Sequence, residues 1–341
     1  MPKRKEIIFQ SLIRYFFNFS DKTTNFMKQK LSKLIFLIFF CILSLILSGI
    51  FFKKFKDKEI KVCLCTPGKS ENKYIREFVE HYKHYRIDKI FLYDNNDLDG
   101  EFFEQEINDY ITNKYVDVIN YRGKRRALLL MMNDCYRKNF RNYDWLIFFE
   151  MDEYIYLKNF TSIKVYLNDT KFIKCQRIQL NWVFHTDNNL LYYENRPLKE
   201  RFPEIEDKAK RNLNHTSQGI KSILKGHIPH IKINDVHALN SKLKTCDGFG
   251  NITQFNGMTT SQPDFNNYYI DHYNFKSTEE FINKINKGDA LFFKDNQLDR
   301  IRVYFGINKI TIKKIQLIEK GTGLNLSEIK NKLKFLSKKP S

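Results

Sequence analysis

The chain has 341 residues, 42% of them hydrophobic and 15% aromatic, which supplies a packed core and excludes an intrinsically disordered protein. Its formal net charge of +19 invites a nucleic-acid reading, but much of the excess lies at the two ends and no zinc finger or aromatic RNA-binding signature accompanies it, so no nucleic-acid partner is expected. Six cysteines with no Cys-x-x-Cys pair point to neither a zinc site nor a dense disulfide framework.

Residues 1–33 form a basic tail carrying Lys3, Arg4, Lys5, Arg14, Lys22, Lys28, Lys30 and Lys33 against Glu6 and Asp21. Residues 34–52 then run without a charge between Lys33 and Lys53, long enough to span a bilayer. So late a start argues for an uncleaved anchor over a cleaved signal peptide. The positive-inside rule favours a cytoplasmic N-terminus, with the bulk of the chain outside the cytosol. That means the Golgi or secretory pathway if the source is eukaryotic, and beyond the inner membrane if it is bacterial. Asn-x-Ser/Thr acceptors at Asn159, Asn168, Asn214, Asn251 and Asn325 suit a lumenal domain.

After a stem over residues 53–60, strands and helices alternate. Residues 60–66 read as a strand; a Pro-Gly turn leads into a helix from Asn72, where Ile75, Phe78, Val79 and Tyr82 recur at helical spacing. Cys63 and Cys65 point to one face of that strand, where buried free thiols are expected, and at most two disulfides can form beyond Cys41. His81 and His84 have a helical spacing able to hold zinc, but helix-surface histidines are the commoner case. Residues 89–93 form a second strand ending in Asp94-Asn95-Asn96-Asp97, residues 115–120 a third, and residues 125–138 a helix.

A fourth, aromatic-rich strand from Trp145 ends in Glu150-Met151-Asp152-Glu153. This β-α-β order predicts an α/β fold with a mostly parallel sheet and helices on both faces. Ligands of such sheets sit beyond the carboxyl ends of the strands. Hard divalent cations take oxygen ligands, commonly one or two carboxylates plus substrate phosphates. The acidic cluster therefore reads as a metal-diphosphate site, with a solvated acidic turn as the alternative.

Residues 172–184 again suggest strands. Residues 186–226 are polar and loop-like, with Arg196, Arg201 and Lys221 available to meet phosphate or a polar acceptor. Histidines follow at His227, His230, His237 and His272, then helices over residues 278–287, 297–305 and 309–320 and a last one to about residue 335. The organisation expected is a tail (1–33), an anchor (34–52), a stem (53–60), an α/β domain (61–290) and a helical C-terminal extension (291–341). No repeat, glycine-rich phosphate loop or nucleophile elbow occurs.

Several short stretches recur together: Gly68-Lys69-Ser70-Glu71-Asn72, Tyr93-Asp94-Asn95, Tyr121-Arg122-Gly123, Asp134-Cys135-Tyr136, Tyr143-Asp144-Trp145 and Asp152-Glu153. They continue with Asn181-Trp182, Arg201-Phe202, Lys221-Ser222-Ile223, Val236-His237 and His272-Tyr273 before Lys276-Ser277. In this order they resemble glycosyltransferases of family 92, the former DUF23 group, from about residue 61 to residue 332. The resemblance implies a GT-A fold and inverting transfer of a sugar, commonly galactose, from a UDP-sugar donor to a glycan acceptor, with Mn²⁺ or Mg²⁺ on an Asp-x-Asp-type motif. Three departures stand out: Glu150 replaces the first aspartate of that motif, Ser70 replaces an asparagine, and Lys124-Arg125-Arg126-Ala127 lacks an expected glutamine. They keep a second reading open, a catalytically weak or inactive glycan- or nucleotide-binding relative.

On the same resemblance Asp152, helped by Glu150, holds the metal, and His272 completes the site, with His237 as its rival. Asp94 and Asn95 meet the uridine, Glu71 lines the same pocket, and Arg201 and Lys221 hold phosphate. Inversion needs a carboxylate that takes the acceptor proton. Asp187, Glu204 and Asp235 are the candidates, and the sequence does not choose among them. Trp182 is either a stacking platform for the acceptor or a core residue.

Overall fold

In the computed structural model of the chain the described residues are 34–39, 59–125, 127–206, 219–240, 242–253, 263–287, 297–327 and 329–331. The basic tail, residues 40–52 of the expected anchor, the stem to residue 58 and the end of the last predicted helix lie outside them. Residues 34–39 are helical and exposed, and no helix among the described residues is long and apolar enough to cross a membrane. The chain divides into two compact units, Met1–Glu59 and Ile60–Ser341, and the second carries the sheet.

Strand β1 (Val62–Gly68) shows why a central strand is apolar throughout. Val62 and Leu64 face one core cluster while Cys63 and Cys65 face another, so both sides are covered. Helix α1 (Asn72–His84) buries Ile75, Phe78, Val79 and Tyr82 in the first cluster. Strand β2 (Lys89–Asp94), helix α2 (Glu104–Thr112) and strand β3 (Val116–Asn120) follow. Helix α3 (Leu128–Asn139) covers the opposite face through Leu128, Met131, Met132 and Tyr136. Strand β4 (Trp145–Phe148) splits in the same way, Trp145 and Ile147 to one side and Leu146 and Phe148 to the other.

The remaining elements are β5 (Glu153–Leu157), α4 (Ile163–Leu167), β6 (Arg177–Phe184), the single-turn α5 (Leu198–Arg201) and β7 (Ile220–Lys225). They continue with β8 (Thr245–Cys246), β9 (Ile252–Thr253), β10 (Tyr268–His272), α6 (Thr278–Lys287), α7 (Gln297–Ile307) and α8 (Ile312–Thr322). The sheet order is β3-β2-β1-β4-β7-β6-β10-β5, with β8 on β6 and β9 on β8.

The expectation of a mostly parallel sheet needs correction. The β3-β2-β1-β4 half is parallel, but β7 runs antiparallel to both β4 and β6, and β10 is parallel to β6 and antiparallel to β5. The fold is mixed α/β. Its antiparallel turn comes from β7, inside the stretch that composition reads as loop, because Lys221 and Ser222 interrupt an otherwise apolar run although both are fully buried.

The cysteine expectation holds only in part. Cys63 is free and buried, but Cys65 is bonded to Cys135, tying β1 to α3, and Cys175 to Cys246, tying the approach to β6 to β8. Cys65 lies on the face that α3 crosses, a neighbour that strand periodicity cannot show. The C-terminal helices share a third core: Phe281 and Ile285 of α6, Ile301 and Tyr304 of α7 and Ile315 of α8 enclose Phe275 and Phe184, the last residue of β6.

Candidate active site

The chain turns sharply between β4, which ends at Phe148, and β5, which begins at Glu153. Glu150 and Asp152 lie in that turn. The register of β5 against β10 sets Glu153 opposite His272, so Asp152 and His272 meet: Nε2 of His272 is 3.6 Å from Oδ1 of Asp152. Both side chains are buried. Gly68, Glu71, Asn95, Glu150, Asp152, Trp182, His237, His272, Lys284 and Lys287 line one cavity of about 1050 Å³. Small-molecule sites run to roughly 300–1,000 Å³, so this one has room for a large small-molecule ligand.

Every acid in the turn is matched by a cation. Lys284 Nζ, from the last turn of α6, is 2.6 Å from Oδ2 of Asp152 and also donates to Oδ1 of Asn274. Burial pushes the Asp152 carboxyl up, but Lys284 and then His272 outweigh it and hold it well below the usual range. Burial likewise opposes ionisation of Glu150, and Lys221, whose Nζ is 2.5 Å from its Oε1, brings it below the ordinary value. Glu71 is lowered against burial by Lys276 and Lys287.

Glu153 differs. Burial, reinforced by Glu150 and Asp152 and opposed by Lys221, pushes it up to about 8. Burial also keeps the histidines neutral: His272 is lowered despite Asp152, and His237 falls to about 4 through burial and Lys221.

The structure brings together Glu71, Asn95, Glu150, Asp152 and His272 among the expected site residues. Trp182 and His237 line the same cavity, whereas Asp94, Arg201, Lys221 and the three candidate bases do not. Asp94 is buried at the end of β2, its Oδ2 2.7 Å from Arg122 Nη1, and only its neighbour Asn95 reaches the cavity. Arg201 is buried against Glu280 at 2.7 Å instead of facing phosphate. Lys221 does not line the cavity; it pairs with Glu150 and Glu153 beneath the turn.

None of the three expected bases lines the cavity. Asp187 is buried with Lys314 Nζ at 2.6 Å and the Tyr304 hydroxyl. Asp235 accepts the backbone N–H groups of His237 and Ala238. Glu204 is exposed, and its carbonyl accepts from Thr186 N at 2.8 Å. An acid that caps a turn or answers a buried lysine looks the same in sequence as a catalytic one. The residues that sequence reasoning missed are Lys284 and Lys287, whose signal is their three-residue spacing on the helix after His272.

The profile of glycosyltransferase family 92 matches residues 58–303. The chain belongs to that family. No curated protein matches it. Among solved structures it is similar to TarS of S. aureus, at 12% identity over 72% of this chain and 43% of that chain, with a TM-score of 0.32. It is also similar to a shorter TarS chain, residues 1–349, in complex with UDP-GlcNAc, at 12% identity over 77% of this chain and 79% of that one, TM-score 0.34. The chain thus spans less than half the length of the full TarS chain.

Among the described residues no group of three His, Cys, Asp or Glu side chains is placed to hold a metal ion. Asp152 and His272 nonetheless fit one. Nε2 of the imidazole is 3.6 Å from the carboxylate, and its Nδ1 is buried without a hydrogen-bond partner. Two protein ligands completed by substrate phosphates and water are the usual arrangement for Mg²⁺ or Mn²⁺.

Proposed function

We propose that the protein is an inverting glycosyltransferase that moves a hexose, galactose being the first candidate, from a UDP-sugar to a hydroxyl of a glycan acceptor. The observation that carries this reading is the meeting of Asp152 and His272 in the wall of a cavity large enough for the donor. Family membership supplies the reaction class, and the GT-A fold agrees with the parallel half-sheet and its acidic rim. A divalent cation on Asp152 and His272 would neutralise charge on the leaving diphosphate.

In this reading Asn95 borders the uridine and Trp182 offers a face for the acceptor sugar. Glu150 takes the base role left open by Asp187, Glu204 and Asp235. It lines the cavity and acts on both His237 and His272. Lys221 keeps its carboxylate ionised.

The reading extends to an anchor over residues 34–52, a cytoplasmic N-terminus and a catalytic unit in the secretory pathway. Two disulfides support an oxidising compartment, and the acceptor asparagines Asn159, Asn168, Asn251 and Asn325 are exposed.

The test is hydrolysis of a panel of nucleotide sugars by the full-length chain in detergent, with Mn²⁺ or with chelator, for the native protein and Asp152→Ala. Turnover of one UDP-sugar that disappears with chelator and in the variant is expected. Thermal stabilisation by UDP with no turnover of any donor would replace the transferase with its non-catalytic relative.

A further inference from the structure

The last two turns of α6 present two amines to the cavity, one helical turn apart, each resting on a carboxylate of the cavity wall. Lys284 Nζ lies 2.6 Å from Asp152 Oδ2, and Lys287 Nζ lies 2.9 Å from Glu71 Oε1. The two carboxylates come from different elements, Glu71 at the start of α1 and Asp152 before β5, and Glu71 feels the charge of Asp152. Lys276 adds a third amine, 3.4 Å from Glu71 Oε2. Lys284 and Lys287 thus line the cavity where a diphosphate would lie, and Lys276 backs Glu71.

A purely structural ion pair would be sealed off. These are not: the Lys284 side chain is 31% exposed and that of Lys287 22%, against 12% for Asp152 and 17% for Glu71. Lys284 Nζ also donates to the carbonyl and Oδ1 of Asn274, and Lys287 Nζ to the Lys69 carbonyl, so a phosphate oxygen need replace only the carboxylate partner of each amine. A lysine ammonium on a four-carbon stem can be re-aimed without moving its helix, and a phosphate oxygen is a charge-assisted acceptor at least as strong as a carboxylate.

We propose that Lys284 and Lys287 bind the diphosphate of the donor, leaving Asp152 and Glu71 for phosphate oxygens as the nucleotide enters. The proposal rests on the UDP-sugar reading above. The two amines offset the charge of the two acids they rest on. In the loaded site they neutralise the leaving group, and the departure of Lys284 frees Asp152 Oδ2.

Calorimetric titration of the full-length protein in detergent, with chelator present, tests this using UDP and UMP, which share the nucleoside and differ in the second phosphate. For Lys284→Met and Lys287→Met the affinity for UDP should fall about tenfold or more and that for UMP by no more than about twofold, with Lys284→Arg recovering most of the loss. UDP binding as tight as the native protein's, or equal losses for UDP and UMP, would overturn the lysine assignment while the donor reading stands. A native protein that binds neither nucleotide, with chelator or with Mn²⁺, would overturn both. Melting curves identify a variant that fails to fold, and the remaining variants decide the question in that case.

Discussion

Trp182 Nε1 donates to Glu153 Oε1 at 2.8 Å, and the other oxygen of the same carboxylate accepts the backbone N–H of Glu150 at 2.8 Å. One buried acid thus fastens the acidic turn to β6 and fixes an indole that lines the cavity. Trp182→Phe keeps an aromatic ring and removes the donor, leaving the buried Glu153 oxygen with only Lys221 Nζ at 3.5 Å. A loss of about 1–3 kcal/mol is expected, read as a lower urea midpoint at unchanged slope; native stability would show that the bond contributes nothing.

Glu150→Gln preserves size and removes the proton acceptor. Loss of a general base lowers turnover by about 10²–10⁴-fold, and UDP affinity should stay near the native value because Asp152, His272 and the α6 lysines are untouched. Transfer rates with a saturating donor check this, and a variant within a few-fold of native activity would move the base elsewhere.

His81 offers a pH signature away from the chemistry. Its Nε2 is 3.1 Å from the Ile155 carbonyl, and burial, only partly offset by Asp271 and that contact, lowers its pKa from 6.5 to about 4. The folded state then binds fewer protons than the unfolded state between those values. The contribution to stability is complete above 6.5 and is lost as pH falls towards 4, at no more than ~1.4 kcal/mol per pH unit. His237, also at about 4, acts in the same direction. His81→Gln should therefore flatten, without abolishing, the fall in urea midpoint between pH 7 and pH 4.5; an unchanged slope would show that His81 titrates normally.

The bond between Cys175 and Cys246 closes a long loop, its ends 71 residues apart in sequence. Replacing both with serine should remove about 2–5 kcal/mol. Peptide mapping without reduction should recover Cys175–Cys246 and Cys65–Cys135 as linked pairs and Cys63 as a thiol only after unfolding.

Much of the parallel half was legible because its strands are apolar on both faces and its helix α1 is cleanly amphipathic. The antiparallel half was hidden by single residues. Lys221 reads as surface but lies fully buried under Glu150 and Glu153, and with it β7 disappears from the pattern. At the site, Asp152, Glu150 and His272 could be named because the acidic cluster interrupts an apolar strand and the family motifs recur in order. Asp187 and Asp235 misled because their partners, Lys314 and the N–H groups of His237 and Ala238, are set by folding rather than by spacing. Lys284 was missed because a lysine at the end of an amphipathic helix has the sequence signature of an exposed helix terminus.

The place of β10 has a consequence for biosynthesis. It lies between β6 and β5, and among the described residues it is the strand that pairs with β5. Until residues 268–272 leave the ribosome, β5 has an open edge and Asp152 has neither His272 nor Lys284 beside it. The nascent chain therefore carries an unpaired strand, and an Asp152 without these partners, from the completion of β5 (Glu153–Leu157) until β10 (Tyr268–His272) is made, and a premature stop in that interval yields a product without His272 and Lys284.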